Sequence, residues 1–324
     1  MLFILSLLAF ALAWRMSLEI RMTKHALYQL KDLYAAKSGV MRAMEVTRKD
    51  RIDMDSFKDK WANAPDLFKD IKVGDSSFTV SYIYTHKPDT REPVVYYGLI
   101  DEDRKINLNM DDLDKLGKAL VNLRLTLKEE STDEPLLTED IIDSILDWRD
   151  SDSEVRPQGA EVSYYKEFGY TCRNGKFSVL EELMLIRGMS KERFDRLVEY
   201  LTIYGSSDGK INVNTAGKEV LTAVILSSVA NLSPTDALSI AGNIINWRQG
   251  ESIYETADER VFETKEDVMG FIPEGDKEAF KDWLKLNSDY FRVNTEAQIN
   301  RIVVKKAEAV YERSKNEILY WHED

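Results

Sequence analysis

The sequence predicts an α+β protein in which an all-α domain is inserted into a domain built from one long helix and a sheet. Three observations predict this class. The chain opens with an apolar run that continues into a helical pattern with no Gly or Pro before Gly39. Strand-like segments rich in β-branched and aromatic residues stand at 78–84 and 94–100, and others close the chain after residue 289. Between them, from about residue 110 to residue 286, the pattern is helical.

Composition and charge exclude several classes of function. The 44 Lys and Arg residues against 57 Asp and Glu residues give a net charge of −13, which argues against a broad phosphate-binding face and leaves room for divalent cations. The single cysteine, Cys172, excludes an intrachain disulfide and a cysteine-based metal site. The three histidines lie far apart, and no HExxH, GxSxG, Walker A or GxGxxG motif is present. We therefore predict that the protein is not an enzyme.

Residues 1–50 are predicted to form an N-terminal membrane or assembly helix. Residues 1–14 are uncharged, but at about 1.5 Å per residue they span roughly 21 Å, less than the ~30 Å of a bilayer core. A cleaved signal peptide would carry a basic residue before the run and small residues after it, and neither is present. One continuous helix of about 45 residues is the simplest interpretation. We expect a few more apolar residues before Met1 to complete the membrane span.

The strand-like segments are predicted to form one sheet that the helical block interrupts in sequence. Residues 51–109 supply the first part of the sheet, residues 110–288 form the inserted helical domain, and residues 289–324 supply the C-terminal strands. Turns are predicted at Lys87-Pro88-Asp89, at Asn294-Thr295-Glu296 and at Ser314-Lys315-Asn316.

Three short segments of the helical block recur in the same order, which indicates an internal repeat. The matched segments are Ile106-Asn107-Leu108-Asn109 with Ile211-Asn212-Val213-Asn214, the helix ending in Trp148-Arg149 with the helix ending in Trp247-Arg248, and Phe177 with Phe262. The spacings between the matched segments differ. Two diverged copies of a helix–turn–helix unit explain the shared order better than helices that arose independently.

The second copy is similar to the helix-hairpin-helix modules that bind DNA. In those modules a glycine-rich hairpin brings backbone N–H groups against a phosphate. The hairpin segment expected here, residues 227–234, contains no glycine, and residues 128–133 of the first copy include three acidic side chains. The similarity therefore favours shared packing, and a DNA-binding protein is the alternative function.

The segment with the clearest chemistry begins after Trp148-Arg149. Three acidic residues stand at positions 1, 3 and 5 of a twelve-residue frame and a fourth at position 12, as in an EF-hand calcium loop. Position 6 is Val155, where an EF-hand needs Gly, so the segment is not a true EF-hand. Oxygen ligands at this spacing predict a looser calcium site, and the alternative is a solvated acidic turn. The candidate ligands are Asp147, Asp150, Asp152, Glu154 and Glu161.

These elements, in this order, resemble the K-type minor pseudopilins of the type II secretion system (the general secretion pathway protein K family). The resemblance covers nearly the whole chain. Its motifs are the apolar helix passing into residues 35–40, and the segments 98–109, 146–161, 177–188 and 211–216. The family begins with a short basic leader and a glycine cut by a prepilin peptidase, and neither is seen in this sequence.

The resemblance implies a pilin-like fold, with the long N-terminal helix packed on an antiparallel sheet and an inserted all-α domain of helix-hairpin-helix or SAM-like type. It implies a non-enzymatic subunit at the tip of the pseudopilus, assembled with the I- and J-type minor pseudopilins. Such a subunit initiates and caps assembly and supports the export of folded proteins across the outer membrane. The chain would cross the inner membrane once, contact lipid through its helix and keep its soluble part in the periplasm, with no nucleic-acid partner. Family members bind calcium in the region of the acidic loop.

Overall fold

The computed structural model describes residues 2–84, 94–127, 135–250, 260–299 and 302–324, without the side chains of residues 2 and 302–304. The chain divides into two compact units. The helix-and-sheet unit comprises residues 1–50, 60–100 and 292–324, and the helical unit comprises residues 51–59 and 101–291. The predicted turn at 87–89 and the segment 128–133 lie outside the described residues.

Ten α-helices are assigned within the described ranges, and several begin at Asp, Ser or Thr side chains that accept a backbone N–H of the first turn. They are α1 (Leu2–Arg48), α2 (Pro65–Phe68), α3 (Leu113–Arg124), α4 (Glu139–Arg149), α5 (Val162–Lys166), α6 (Lys191–Leu197), α7 (Lys218–Ser228), α8 (Pro234–Gln249), α9 (Lys265–Met269) and α10 (Lys277–Lys281). Short 3₁₀ helices cover Glu102–Arg104, Leu180–Leu185 and Glu274–Asp276.

The strands form one main sheet and three two-stranded pairs in the same described ranges. They are β1 (Ile71–Val73), β2 (Ser76–Val80), β3 (Tyr82–Tyr84), β4 (Val94–Tyr96), β5 (Ile100–Asp101), β6 (Ile106–Asn107), β7 (Leu201–Thr202), β8 (Ile211–Asn212), β9 (Leu284–Lys285), β10 (Tyr290–Ile299), β11 (Ile302–Glu312) and β12 (Glu317–Glu323). The main sheet follows the order β1–β2–β10–β11–β12.

The main sheet joins strands that precede and follow the helical block. β2 pairs with β10 in antiparallel register, with Val80 opposite Thr295. This pairing, together with the long first helix, confirms the predicted fold class. β3 and β4 form a separate antiparallel pair.

Of the predicted turns near the C-terminus, one is confirmed and one is wrong. The chain turns at 314–316, between β11 and β12. At 294–296 it does not turn, because β10 continues through these residues with side chains that alternate between half-buried and buried positions. The alternation places every second side chain of β10 in the interior, so the strand gains burial by continuing.

Helix α1 is continuous over 47 residues, as the sequence predicts. Its C-terminal half packs on the sheet through small residues, and Ala35 and Ala36 meet Ala297 and Ala307 of the strands. Gly39 is required at the closest approach, since a Cβ there would lie 2.4 Å from Oγ1 of Thr295. The sheet therefore covers one face of α1 and leaves the opposite face exposed.

The helical unit contains two similarly built segments, which lie at the positions of the repeat predicted from the sequence. We call residues 106–202 repeat one and residues 211–285 repeat two. Each begins with a two-residue strand that pairs in parallel with a strand at its own end, β6 with β7 and β8 with β9. The inserted unit, predicted to be all-α, therefore also contains two short pairs of parallel strands. The sequence does not predict them, because two-residue strands leave no periodic signal.

Matched hydrogen bonds hold each repeat together. In repeat one the Asn109 side chain donates to the carbonyl of Phe177 at 2.9 Å and accepts its N–H at 2.8 Å. In repeat two the Asn214 side chain makes the same pair of bonds with Phe262, at 3.1 and 2.9 Å. Each asparagine thereby replaces a neighbouring strand for a buried segment of backbone.

The arginine of each Trp-Arg pair fixes its helix to the segment that directly follows the first strand of the same repeat. Arg149 donates to the carbonyls of Leu108 and Met110, at 2.7 and 2.8 Å. Arg248 donates to the carbonyls of Val213 and Ala216, at 2.6 and 2.9 Å. A guanidinium suits this position because its donors lie in a plane and reach two acceptors at once.

The boundary between the units falls at residues 100/101, whereas the sequence places the start of the insertion at residue 110. The reason is hydrogen bonding, since the backbone N–H groups of Ile106 and Leu108 donate to the carbonyls of Tyr200 and Thr202. Residues 101–109 therefore open the helical unit and do not close the sheet.

The first residues of the helical unit bury several charges. Asp103 forms an ion pair with Lys285 at 2.7 Å and accepts a hydrogen bond from the N–H of Asp289 at 2.7 Å. Burial raises the pKa of Asp103 to about 6, although the Lys285 ammonium opposes the shift. Asp101 accepts from the hydroxyls of Ser288 and Thr215, and burial raises its pKa as well. The residues immediately before repeat one are thereby joined to repeat two and to the residues that follow it.

Candidate functional site

Two features of the described residues carry functional chemistry, and the first is the exposed face of α1. Large apolar residues stand on this face at intervals of seven: Ile20, Leu27, Tyr34 and Met41, each exposed by 48–62%. We call these four residues the outer apolar face. Solvent exposure of so many apolar side chains in register is costly, so this face predicts a partner or lipid that covers it.

Beside the sheet, the outer apolar face becomes the floor of a groove. The groove has a volume of about 1020 Å³, and its walls come from both ends of the strand order. Its apolar lining consists of Tyr34, Met41, Ile71, Phe78, Ile318 and Trp321. Lys37 extends over the Trp321 ring at 5.7 Å and lies 3.8 Å from Glu323. A groove of this lining accepts an apolar rod of protein better than it accepts a polar ligand.

The N-terminal part of α1 has the length and composition of a membrane span. The apolar window of this helix is not buried by any other described part of the protein. Hydrocarbon chains or other apolar helices are the environments that satisfy such a segment. The helix could therefore anchor the chain in a membrane, as predicted.

The second feature is the acidic loop, residues 150–161, which leaves the end of α4 and folds back along that helix. The N–H of Gln158 donates to Asp143 of α4 at 3.0 Å. Arg156 donates to Asp147, also of α4, at 2.8 Å and forms an ion pair with Asp150. The loop is thereby fixed to one side of α4, because Asp143 and Asp147 stand one helical turn apart.

Three of the five candidate ligands come together in this loop. Asp150, Asp152 and Glu161 each place a carboxylate oxygen within 4.8 Å of the other two. Glu161 is 2% exposed, and its Oε1 has no hydrogen-bond partner among the described residues. Oδ1 of Asp150 is buried and unpaired in the same sense. Buried, unpaired oxygens within a cluster of carboxylates are costly unless a cation lies among them, so the donor set fits a hard divalent cation.

The other two candidate ligands lie differently. Asp147 is fully buried next to the trio and is already bound by Arg156. Glu154 is exposed, and its backbone N–H donates to Oδ1 of Asp152 at 2.8 Å. Asp147 therefore supports the loop from behind, while Glu154 shapes the turn that carries Asp152.

Burial and mutual repulsion change the titration of these carboxyls. Burial raises the pKa of Glu161, and the charges of Asp147, Asp150 and Asp152 raise it further. Burial also raises the pKa of Asp147, although hydrogen bonds from Arg156 oppose the shift. A cation placed among the carboxylates would reverse both effects, since it favours their charged forms.

Two functional residues of the site are not identified by the spacing of the candidate ligands in the sequence. Arg156 is the only basic residue between Asp150 and Glu161, and that isolation is the signal that could have identified it. Gly159 is needed because a Cβ there would lie 2.0 Å from Oδ2 of Asp147. Its role depends on the return path of the loop, which ligand spacing does not reveal.

Comparisons with known proteins match the helical unit most directly. A family model described as type II secretion system (T2SS), protein K, matches residues 106–206. Proteins described as type II secretion system protein K are similar to this chain in three bacteria. The Dickeya chrysanthemi protein is 25% identical over 52% of this chain and 44% of its own length. The Aeromonas hydrophila protein is 30% identical over 39% of this chain and 39% of its own length. The Pectobacterium carotovorum subsp. carotovorum protein is 26% identical over 54% of this chain and 51% of its own length.

The chain spans about half, or less, of the length of these relatives. A solved structure extends the likeness in fold. It is a chain of the GspK-GspI-GspJ complex from the enterotoxigenic Escherichia coli type 2 secretion system, with a TM-score of 0.64 and 16% identity. The match covers 94% of this chain and 99% of that one. The predicted resemblance to the K-type minor pseudopilins is confirmed by the family match and the relatives, and the shared fold agrees with it.

Proposed function

We propose that the protein is a non-enzymatic minor pseudopilin that forms the tip of a type II secretion pseudopilus, where it initiates and caps assembly. The observation that carries the proposal is the fold, which this chain shares over 94% of its length with a chain of the GspK-GspI-GspJ complex. The relatives are named as parts of the secretion machinery and not as enzymes. The partners proposed for this chain are accordingly the I- and J-type minor pseudopilins.

The outer apolar face supplies the physical means of assembly. Its residues recur every seven positions, which is the spacing that lets two helices pack along a shared seam. We propose that lipid covers α1 before assembly and that neighbouring helices cover it afterwards, at roughly 25 cal/mol for each Å² of apolar surface buried. The protein would then be anchored once in the inner membrane, with its soluble part in the periplasm.

Capping is supported by the size of the helical unit. Residues 51–59 and 101–291 add a second compact unit to the pilin-like one. A subunit that repeats along a filament must leave room for the next copy, and a unit of this size would obstruct it. In this proposal the chain begins the filament, ends its growth at the tip, and supports the export of folded proteins across the outer membrane.

We also propose that the acidic loop binds calcium. Asp150, Asp152 and Glu161 would hold the ion, and Asp147 would support them through Arg156. Calcium suits the site because it takes oxygen ligands in flexible geometry. The bound ion would neutralise the loop and fix its return along α4.

The test of the proposed function is complex formation with the I- and J-type minor pseudopilins, measured with the full chain in detergent micelles. Met41→Asp places a charge in the groove, and we expect it to weaken the complex at least tenfold. Ile83→Asp is the matched control, because Ile83 is 63% exposed against 60% for Met41 and lies on β3. The proposal would be contradicted if the unmodified chain formed no complex at micromolar concentration.

The DNA-binding alternative receives no support from the comparisons, since the relatives matched are secretion proteins.

A further inference from the structure

Arg156 occupies an unusual place in the acidic loop. It is the only basic residue of residues 150–161, and one of its guanidinium nitrogens contacts two carboxylates at once. Nη1 lies 2.8 Å from Oδ1 of Asp147 and forms an ion pair with Oδ2 of Asp150. The Arg156 backbone N–H also faces the Asp147 carboxylate, at 3.3 Å from Oδ2. This single positive charge therefore neutralises part of a cluster that otherwise contains only carboxylates.

The two oxygens of Asp150 have different environments. Oδ2 is held by Arg156, whereas Oδ1 is buried without a partner in the part of the chain that the structure describes. Asp150 also belongs to the trio that fits a divalent cation. Arg156 and such a cation would thus share one carboxylate, and their like charges would lie only a few Å apart.

We propose that Arg156 is a built-in competitor for calcium, which neutralises the loop when no metal is bound and thereby lowers the calcium affinity of the site. This inference rests on the calcium binding proposed above. Even with the full screening of bulk water, repulsion between a single and a double positive charge a few Å apart is worth about tenfold in binding.

The same argument predicts how the metal-free loop behaves. Without the guanidinium, Asp147, Asp150, Asp152 and Glu161 would repel one another with no cation among them. Loss of the Arg156 charge therefore destabilises the metal-free state more than the loaded state. By linkage, the variant must bind calcium more tightly than the unmodified protein does.

The experiment uses the full chain in detergent micelles, from which metal is first removed with a chelator. Calcium is then titrated into the protein, and binding is measured by calorimetry. The probe is calcium chloride alone. We expect Arg156→Gln to tighten the dissociation constant about tenfold and to lower the melting temperature in chelator, with the deficit closing when calcium is added. Arg156→Lys keeps the charge and should bind calcium like the unmodified protein.

Arg124→Gln is the matched control, because Arg124 of α3 lies in the same unit and also pairs with a carboxylate, that of Glu139 at 2.7 Å. It removes one positive charge and should leave the calcium affinity unchanged. Binding in Arg156→Gln that equals or falls below that of the unmodified chain overturns the inference while calcium binding stands. If Arg156→Lys binds calcium as tightly as Arg156→Gln does, the inference is also overturned, because loss of the charge would not be the cause. No binding in any variant overturns both this inference and the proposed calcium site.

Discussion

Repeat one and repeat two of the helical unit share a scaffold and differ most in the length of one segment. Both repeats use a short strand, an asparagine that binds a phenylalanine backbone, and an arginine that binds carbonyls just after the strand. Between the arginine and the phenylalanine, repeat one has residues 150–176, whereas repeat two has residues 249–261, about half as many. The extra length of repeat one carries the acidic loop and α5. The residues proposed to bind calcium therefore lie in the extra length of repeat one, which repeat two lacks.

The largest expected effect tests whether the shared bonds are structural. Asn214→Ala should lower the free energy of unfolding by about 2–4 kcal/mol, because it removes two hydrogen bonds and leaves the backbone groups of a buried residue, Phe262, unpaired. Asn109→Ala should act in the same direction with a smaller effect, since Asn109 is only half-buried. Urea unfolding followed by tryptophan fluorescence measures both.

Asn243→Ala is the control for these two variants, because Asn243 is exposed on α8. It should change the free energy of unfolding by no more than about 0.5 kcal/mol. If Asn214→Ala is equally mild, the matched bonds do not stabilise the repeats and the comparison loses its basis.

The second prediction concerns the inserted segment. Calcium at about 100 times its dissociation constant should stabilise the protein by about 2.7 kcal/mol, which is a rise in melting temperature of about 5–10 °C. A chelator should reverse the rise. Replacing both Asp150 and Asp152 with Ala should abolish it, as measured by scanning calorimetry.

Asp195→Ala provides the control, because Asp195 is an exposed acidic residue of repeat one that forms an ion pair with Lys191. It should retain the full calcium effect. A rise that survives in the double variant would show that the ligands lie elsewhere, and the contrast between the repeats would then need another explanation.

The third prediction concerns the bond that joins the two repeats. The pKa of Asp103 is raised from 3.8 to about 6, so the folded protein holds this proton at pH values where the unfolded chain has released it. The stability from this group is complete below about pH 4 and is lost as the pH rises through about 6, at a slope of up to roughly 1.4 kcal/mol per pH unit. Asp103→Asn should flatten the decline between pH 4 and pH 6.

The free energy of unfolding across this pH range, from urea titrations, measures that slope. Above about pH 6, Asp103→Asn also leaves Lys285 without its carboxylate and so lowers stability there, which is why the slope between pH 4 and pH 6 is the diagnostic quantity. Asp111→Asn is the control, since its Lys176 partner lowers the pKa of Asp111 and places its titration below this range. An unchanged slope in Asp103→Asn would assign the proton to another group.

The fold class could be predicted from the sequence, and a repeat could be proposed from it, because both are expressed in local patterns. The long helix lacks breakers, β10 to β12 are rich in strand-forming residues, and Ile-Asn-x-Asn, Trp-Arg and Phe recur in order. The unit boundary near residue 100 and the pairing of β6 with β7 were not predictable in this way. They depend on bonds such as Ile106 to Tyr200, which join residues far apart in the chain.

The candidate sites divide along the same line. The spacing of Asp150, Asp152 and Glu161 predicts that they meet, and the structure brings them together. Ligand spacing does not distinguish Glu154, which is exposed, from Asp147, which is buried and held by Arg156. The groove beside α1 is also absent from the sequence pattern, because its walls come from β1, β2 and β12, whose positions only the sheet order defines.

The smallest expected effect lies at Val155, where repeat one departs from the EF-hand pattern. An EF-hand uses Gly at position 6 to make a sharp turn. Val155 is not among the described non-glycine residues with positive φ, so this loop makes its turn without a left-handed residue there. Val155→Gly should therefore leave the calcium dissociation constant unchanged within about twofold, and should cost no more than about 1 kcal/mol through the added freedom of the unfolded chain. Calorimetric titration measures the first and urea unfolding the second. A large gain in the calcium affinity of Val155→Gly would mean that the loop closes as an EF-hand does. The acidic loop would then be a strained form of that motif.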